Sequence, residues 1–114
     1  RPGIRAVHFM DLSTMTCWAN DYDYESVFKR CVETFCTSRD VLAAFSTSGN
    51  SKNVVQAVQA ARAKGCFTLA FSGRDGGALA SLADLSLIIP AAATERIQEA
   101  HITLVHILCE LLER

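Results

Sequence analysis

The sequence predicts an α/β domain in which a parallel sheet carries helices on both faces. Two observations predict it. Four short, near-continuously apolar runs, at residues 6–10, 41–45, 66–71 and 85–89, have strand length and read as strands covered on both sides. Between them lie segments whose apolar residues recur at helical spacing. Strand–helix alternation of this kind builds parallel sheets through crossover connections. At 114 residues the chain is one domain at most.

The elements follow in order. The first run is Ala6-Val7-His8-Phe9-Met10, taken as a strand. Segment 22–35 sets Val27, Cys31, Val32 and Phe35 on one helical face. The acidic cluster Asn20-Asp21-Tyr22-Asp23-Tyr24-Glu25 precedes that face. Asp21 or Asp23 suits a helix N-cap there. Asp21 alternatively binds sugar hydroxyls, because a carboxylate accepts two hydrogen bonds in fixed geometry.

The second run, 41–45, leads into a polar loop. Segment 52–64 then places Val54, Val55, Val58 and Ala61 on one side and stops at Gly65, a C-terminal helix signal. Residues 77–83 suit a short helix, and the run 85–89 is closed by Pro90. Residues 94–112 form a long helix whose apolar face runs through Ile97, Ile102, Val105, Leu108 and Leu112. His106 sits among Leu104, Val105, Ile107 and Leu108 and is expected to be at least partly buried. It is either a satisfied core histidine or a proton-transfer group.

Composition excludes several function classes. Eleven basic residues face 12 acidic ones, for a formal charge of −1. There is no basic excess to neutralise phosphates, so nucleic acid is not an expected partner. The most apolar stretch, 102–112, is broken by His106 and Glu110 and is too short to span a membrane. The five cysteines are odd in number and contain no Cys-x-x-Cys pair, which argues against a disulfide framework or a thiolate zinc site. They read as small buried apolar residues of a cytoplasmic protein. No signal peptide is visible, and the first methionine is Met10, so the chain is expected to be a fragment or a processed product.

The strongest local signal is Ser46-Thr47-Ser48-Gly49-Asn50-Ser51, between the second run and the helix after it. In a parallel sheet this is the carboxyl end of a strand, where ligands bind. A helix start there offers unpaired N–H groups and a positive dipole end. Gly49 permits a left-handed backbone or the close approach of an anion. The hydroxyls can donate to phosphate oxygens, giving a phosphate cradle without a lysine. The loop fits neither nucleotide-loop pattern, G-x-x-x-x-G-K-[ST] or G-x-G-x-x-G. The other reading is a cluster of helix-capping residues. A second glycine-rich turn, Ser72-Gly73-Arg74-Asp75-Gly76-Gly77, touches ligand or serves only as a strand-to-helix turn.

These loops, with Arg96-Ile97-Gln98-Glu99-Ala100-His101-Ile102 and His106-Ile107-Leu108, resemble the sugar isomerase (SIS) domain family. Within it they are most similar to the bacterial phosphoheptose isomerases. Arg1-Pro2-Gly3 and Asn20-Asp21-Tyr22 fit the same pattern. The resemblance covers essentially the whole chain, as a partial SIS domain over residues 1–114. It implies a three-layer α/β/α sandwich around a parallel, flavodoxin-like sheet, here without the N-terminal helices and first strand of the family. It also implies a homotetramer with active sites near subunit interfaces.

The implied activity is the isomerisation of D-sedoheptulose 7-phosphate to D-glycero-D-manno-heptose 7-phosphate, on the way to the heptose of surface glycans. Ser46, Thr47, Ser48 and Ser51 would hold the phosphate, and Asp21, Glu95 and Gln98 would contact the sugar. His106 matches the catalytic histidine, and Gln98 with His106 matches two zinc ligands of some members. No nucleotide or redox cofactor is implied.

Two departures stand out. Glu95 replaces the family's more frequent Asp, in a loop one residue short. The family's upstream part, with a glycine-rich loop and the Glu taken as the base, has no counterpart in this sequence. The rival expectation is a non-catalytic SIS module that senses phosphosugars or binds a protein, as relatives associating with the replication initiator do. A weaker rival is an isomerase acting on another phosphosugar, such as a hexose phosphate.

Overall fold

The computed structural model describes residues 3–114; Arg1 and Pro2 of the Arg1-Pro2-Gly3 match lie outside the described residues. The elements are α1 (Leu12–Asp21), α2 (Val27–Phe35), β1 (Val41–Ser46), α3 (Lys52–Ala63), β2 (Phe67–Gly73), α4 (Leu79–Leu82), β3 (Leu85–Ile89) and α5 (Thr94–Leu112). The three strands are parallel, in the order β1-β2-β3. Ala44 pairs with Ala70, and Ser46 with Ser72, so each pair shares a face of the sheet.

That face carries α3 and α4. Ala44 and Ala70 pack with Val58 and Leu79, flanked by Val54, Val55 and Leu82. A second cluster joins Val32 of α2 to Ala57, Ala60 and Ala61 of α3 and to Cys66. The opposite face carries α5, against which Phe45 and Phe71 lie stacked with ring centroids 4.4 Å apart. Helices on both faces of a parallel sheet therefore make three layers, as expected.

The helix boundaries follow local chemistry. Helix α3 ends at Gly65, where φ is +77°; Gly65 N donates to Arg62 O and Cys66 N to Ala61 O, the paired bonds of a Schellman cap. Asp84, ahead of β3, accepts from Thr68 N at 2.8 Å and from Thr68 Oγ1 at 2.7 Å, and pairs with Arg62 at 2.7 Å. This clamp ties the amino ends of β2 and β3 to the end of α3.

Several expectations are corrected. The run 6–10 is not a strand: it is irregular backbone, with Val7 76% and Met10 62% exposed. Only Phe9 is used for packing, against the Val32 cluster and the ring of Phe35. Apolar residues of strand length need a neighbouring strand to hydrogen-bond to, and among the described residues this segment has none.

The helix expected over 22–35 begins at Val27, after a turn in which Asp23 Oδ1 accepts from Ser26 N at 2.6 Å. Helix α1 was not expected at all. Asp11 caps it, accepting from Thr14 N at 2.7 Å; it buries no residue fully, and its short apolar side of Met15, Trp18 and Ala19 is only half-buried. It is held through Trp18, which donates to Ser26 Oγ at 2.8 Å and lies under Arg30.

All five cysteines are free; Cys31 and Cys66 are buried, but Cys17 and Cys109 are exposed. The Cys31 and Cys36 thiols are pushed up from their usual range, chiefly by burial. On α5 the buried residues are Ile97 and His101, while Ile102 and Leu112 face out.

Candidate active site

The serine loop is a folded hydroxyl cradle. Gly49 N donates to Ser46 O at 2.9 Å, closing a turn at the carboxyl end of β1, with Gly49 at φ +67°. The turn brings Ser51 Oγ to 2.9 Å and Ser48 Oγ to 3.4 Å from Ser46 Oγ. Asn50 N donates to Ser48 Oγ at 3.1 Å. Ser46 is buried, and Thr47, Ser48 and Ser51 are half-buried.

Ser51 occupies the N-cap position of α3 yet makes no side-chain cap bond. Its hydroxyl turns toward Ser46 instead of the first helical turn. Capping alone therefore does not account for the hydroxyls. They converge beside a helix start whose N–H groups and dipole favour an anion.

The second glycine turn is a wall of this cradle. Asn50 Oδ1 accepts from Ala78 N at 2.9 Å, and Gly49 O accepts from Leu79 N at 3.1 Å. A side-chain carbon on Gly77 would stand 2.5 Å from Ser48 O. Arg74 in the same turn holds φ +60°, a left-handed conformation uncommon outside glycine. The strand-to-helix reading of this turn holds, with a buttressing role that spacing alone does not reveal.

Helix α5 is seated by two contacts. Ile97 fills the space over Gly73, where a side-chain carbon would overlap it. His101 Nε2 donates to Ser72 O at 3.0 Å, and its ring meets Phe45 and Phe71 edge-on. His101, not His106, is thus the buried histidine. His106 is exposed, correcting the expectation of partial burial, because it lies about 140° around the helix from His101.

Glu95 and Gln98 are exposed on the first turns of α5, and Ile97 between them places those turns against Gly73, at the carboxyl end of β2. His106 lies about 12 Å along the axis from Gln98. Asp21 ends α1, exposed, accepting from Asn20 Nδ2 at 3.0 Å. The Lys52–Glu25 pair, at 2.8 Å, ties the connection after α1 to the start of α3. Glu25 holds the Lys52 ammonium above its usual range, first by hydrogen bonding and then by charge.

The structure thus joins Ser46, Ser48 and Ser51 closely. It does not join Gln98 to His106. Among the described residues no group of three or more His, Cys, Asp or Glu side chains is arranged to hold a metal.

The first residue of the second glycine-rich turn has a state that its place in the turn does not announce. Ser72, on β2 beside Ser46, is fully buried, and its Oγ has no hydrogen-bond partner. A buried hydroxyl left unpaired costs about 1–3 kcal/mol. The signal was a serine directly following the apolar run 66–71.

A sequence model of the SIS domain matches residues 1–73. The chain belongs to the SIS domain family. Phosphoheptose isomerases are among its relatives. That of Citrifermentans bemidjiense is 50% identical over 104 residues, 91% of this chain and 54% of the relative. That of Helicobacter pylori strain P12 is 50% identical over 115 residues, 100% of this chain and 60% of the relative. The chain spans little more than half the length of the relatives it matches.

Solved structures agree. A phosphoheptose isomerase from Francisella tularensis superimposes with a TM-score of 0.93 at 32% identity, over 96% of this chain and 60% of that one. One from Neisseria gonorrhoeae does so with 0.88 at 42% identity, over 90% of this chain and 58% of that one. In this SIS domain the family match contains Asp21 and the serine loop, while Glu95, Gln98 and His106 lie beyond it. The similarity to the Helicobacter pylori protein extends over those residues as well.

Proposed function

We propose that this SIS domain serves a phosphoheptose isomerase, converting D-sedoheptulose 7-phosphate to D-glycero-D-manno-heptose 7-phosphate through an enediol. The observation that carries the reading is the cradle of Ser46, Ser48 and Ser51 hydroxyls at the α3 start, where no side chain caps the helix. The similarity to phosphoheptose isomerases over the whole chain supports it. In this reading Ser46, Thr47, Ser48 and Ser51 take the phosphate as hydrogen-bond donors. Anchoring that remote, non-reacting end positions the reacting carbons.

Asp21, Glu95 and Gln98 accept from or donate to sugar hydroxyls. His106, open to solvent, carries protons to and from the substrate oxygens. The base for the carbon proton is not among these residues. Zinc, expected from some family members, would need ligands besides Gln98 and His106, which stand too far apart along α5 to build a site by themselves.

A homotetramer is part of the proposal. Val41, Phe67 and Leu85 on the sheet and Ile102, Ile107, Leu111 and Leu112 on α5 are exposed, apolar surface suited to burial against further protein. A cytoplasmic setting suits five free thiols, and no described helix is long and apolar enough to cross a membrane.

The test is an isomerase assay of the full-length protein on sedoheptulose 7-phosphate in heavy water. Turnover with deuterium entering the product is the expected result. Binding of phosphosugars without turnover would replace the enzyme with a sensing module.

A further inference from the structure

Ser72 is the one buried polar side-chain atom without a partner among the described residues, and it adjoins the cradle. It pairs in register with Ser46, so both side chains leave the sheet on the face that α3 covers. Neighbouring strands lie about 4.8 Å apart, so rotation about χ1 lets the two hydroxyls approach hydrogen-bonding distance.

Without ligand, Ser46 Oγ shares its hydrogen bonds with Ser51 Oγ and Ser48 Oγ. A phosphate dianion only accepts, so each cradle hydroxyl that binds it must donate. Ser51 and Ser48 then do not donate to Ser46, whose Oγ keeps only the long 3.5 Å contact from Ser51 N and has a lone pair open to a second donor. Ser72 Oγ is the available one.

We propose that Ser72 is a positioning residue for the phosphate: it donates to Ser46 Oγ when the anion is bound and fixes Ser46 as a donor to it. Ser72 never touches the ligand in this arrangement. The inference rests on the cradle binding phosphate, and not on the isomerase chemistry.

The experiment uses the full-length protein with inorganic phosphate by calorimetry and sedoheptulose 7-phosphate by kinetics. Ser72→Ala should weaken phosphate binding and raise KM about tenfold, the loss of one hydrogen bond in an anion site, with kcat unchanged. Ser72→Thr, which keeps the hydroxyl, should stay within about twofold of the parent.

The melting temperature of ligand-free Ser72→Ala should equal or exceed the parent's, because the unpaired hydroxyl is gone, while its gain on adding phosphate shrinks. Ser72→Cys, similar in size and a weak donor, gives the same readout if the alanine variant does not fold. Phosphate affinity of Ser72→Ala or Ser72→Cys equal to the parent's would overturn the proposal. A parent protein that binds phosphate but does not turn over the sugar would sink the isomerase reading and leave this one standing.

Discussion

The carbonyl of Gly76 lies against the α-carbon of Gly49, in the space that a side chain on Gly49 would need. The serine loop and the second glycine turn touch backbone to backbone at this point. Hydrogen bonds from Ala78 N and Leu79 N to the Asn50 side chain and the Gly49 carbonyl hold the contact on either side. Gly49 is needed twice, for its φ of +67° and for its missing side chain.

Gly49→Ala is therefore expected to destabilise the fold by about 2–4 kcal/mol, combining left-handed strain with overpacking. Urea unfolding measures the loss, and phosphate binding should fall with it. A stable variant with normal phosphate affinity would show that the two loops can separate freely.

Ser51→Ala separates the two readings of the serine loop. If Ser51 served as a helix cap, its removal would cost about 0.5–2 kcal/mol of stability. Since its hydroxyl faces Ser46 instead, the expected result is nearly unchanged urea unfolding with about tenfold weaker phosphate binding.

The two histidines of α5 should behave oppositely. His101→Ala removes a buried ring and its bond to Ser72 O, and should destabilise by about 2–4 kcal/mol while leaving kcat of the folded protein largely intact. His106→Ala, at an exposed position, should leave the melting temperature alone and lower kcat far more than phosphate-ester affinity. Equal losses of kcat and affinity would remove His106 from proton transfer.

Asp84 gives a pH signature. Hydrogen bonds from Thr68 Oγ1 and N, and then the Arg62 charge, hold its carboxyl below the ordinary value of 3.8. A carboxyl lowered in the folded state contributes stability above its unfolded value and loses it as pH falls through the folded one. Asp84→Asn should thus be less stable than the parent at pH 7, with the difference closing below about pH 4. Urea midpoints at a series of pH values check this; a gap independent of pH would assign the effect to packing alone.

Much of this was legible in the sequence, for reasons that differ by element. The runs 41–45, 66–71 and 85–89 form strands because each finds a parallel neighbour, although the cover expected on both sides is complete on one face only: Val41, Phe45, Phe67 and Leu85 remain exposed on the other. Helix α3 announced its end through Gly65, and Thr94–Leu112 was bounded correctly because a long helix repeats its pattern often enough to be read. The run 6–10 looked the same locally and failed, since pairing is a property of the sheet and not of the segment. Helix α1 carries its signal in the Asp11–Thr14 cap and in a short side of Met15, Trp18 and Ala19, half-buried at most.

In the candidate site, the hydroxyl loop could be read from composition. The burial of His101 and the exposure of His106 could not, because both sit among apolar neighbours. The seating of Ile97 on Gly73 and of His101 on Ser72 O fixes which side of α5 faces the sheet. Ser72 was legible as part of the second turn, but not as an unpaired hydroxyl, which is visible only once every neighbour has been placed.

The interlock of the two loops also bears on how such a domain can diverge. Residues 49–50 and 76–79 are joined by bonds from Ala78 N to Asn50 Oδ1 and from Leu79 N to Gly49 O, so adding or removing a residue in either loop pulls donors away from acceptors. Loop length is thereby frozen as a pair. Novelty at this end of the sheet has to enter through outward positions such as Arg74, Asp75 and Lys52, or through Glu95 and Gln98 on α5. An engineer seeking to alter this end of the sheet would randomise those five and leave the serine loop untouched.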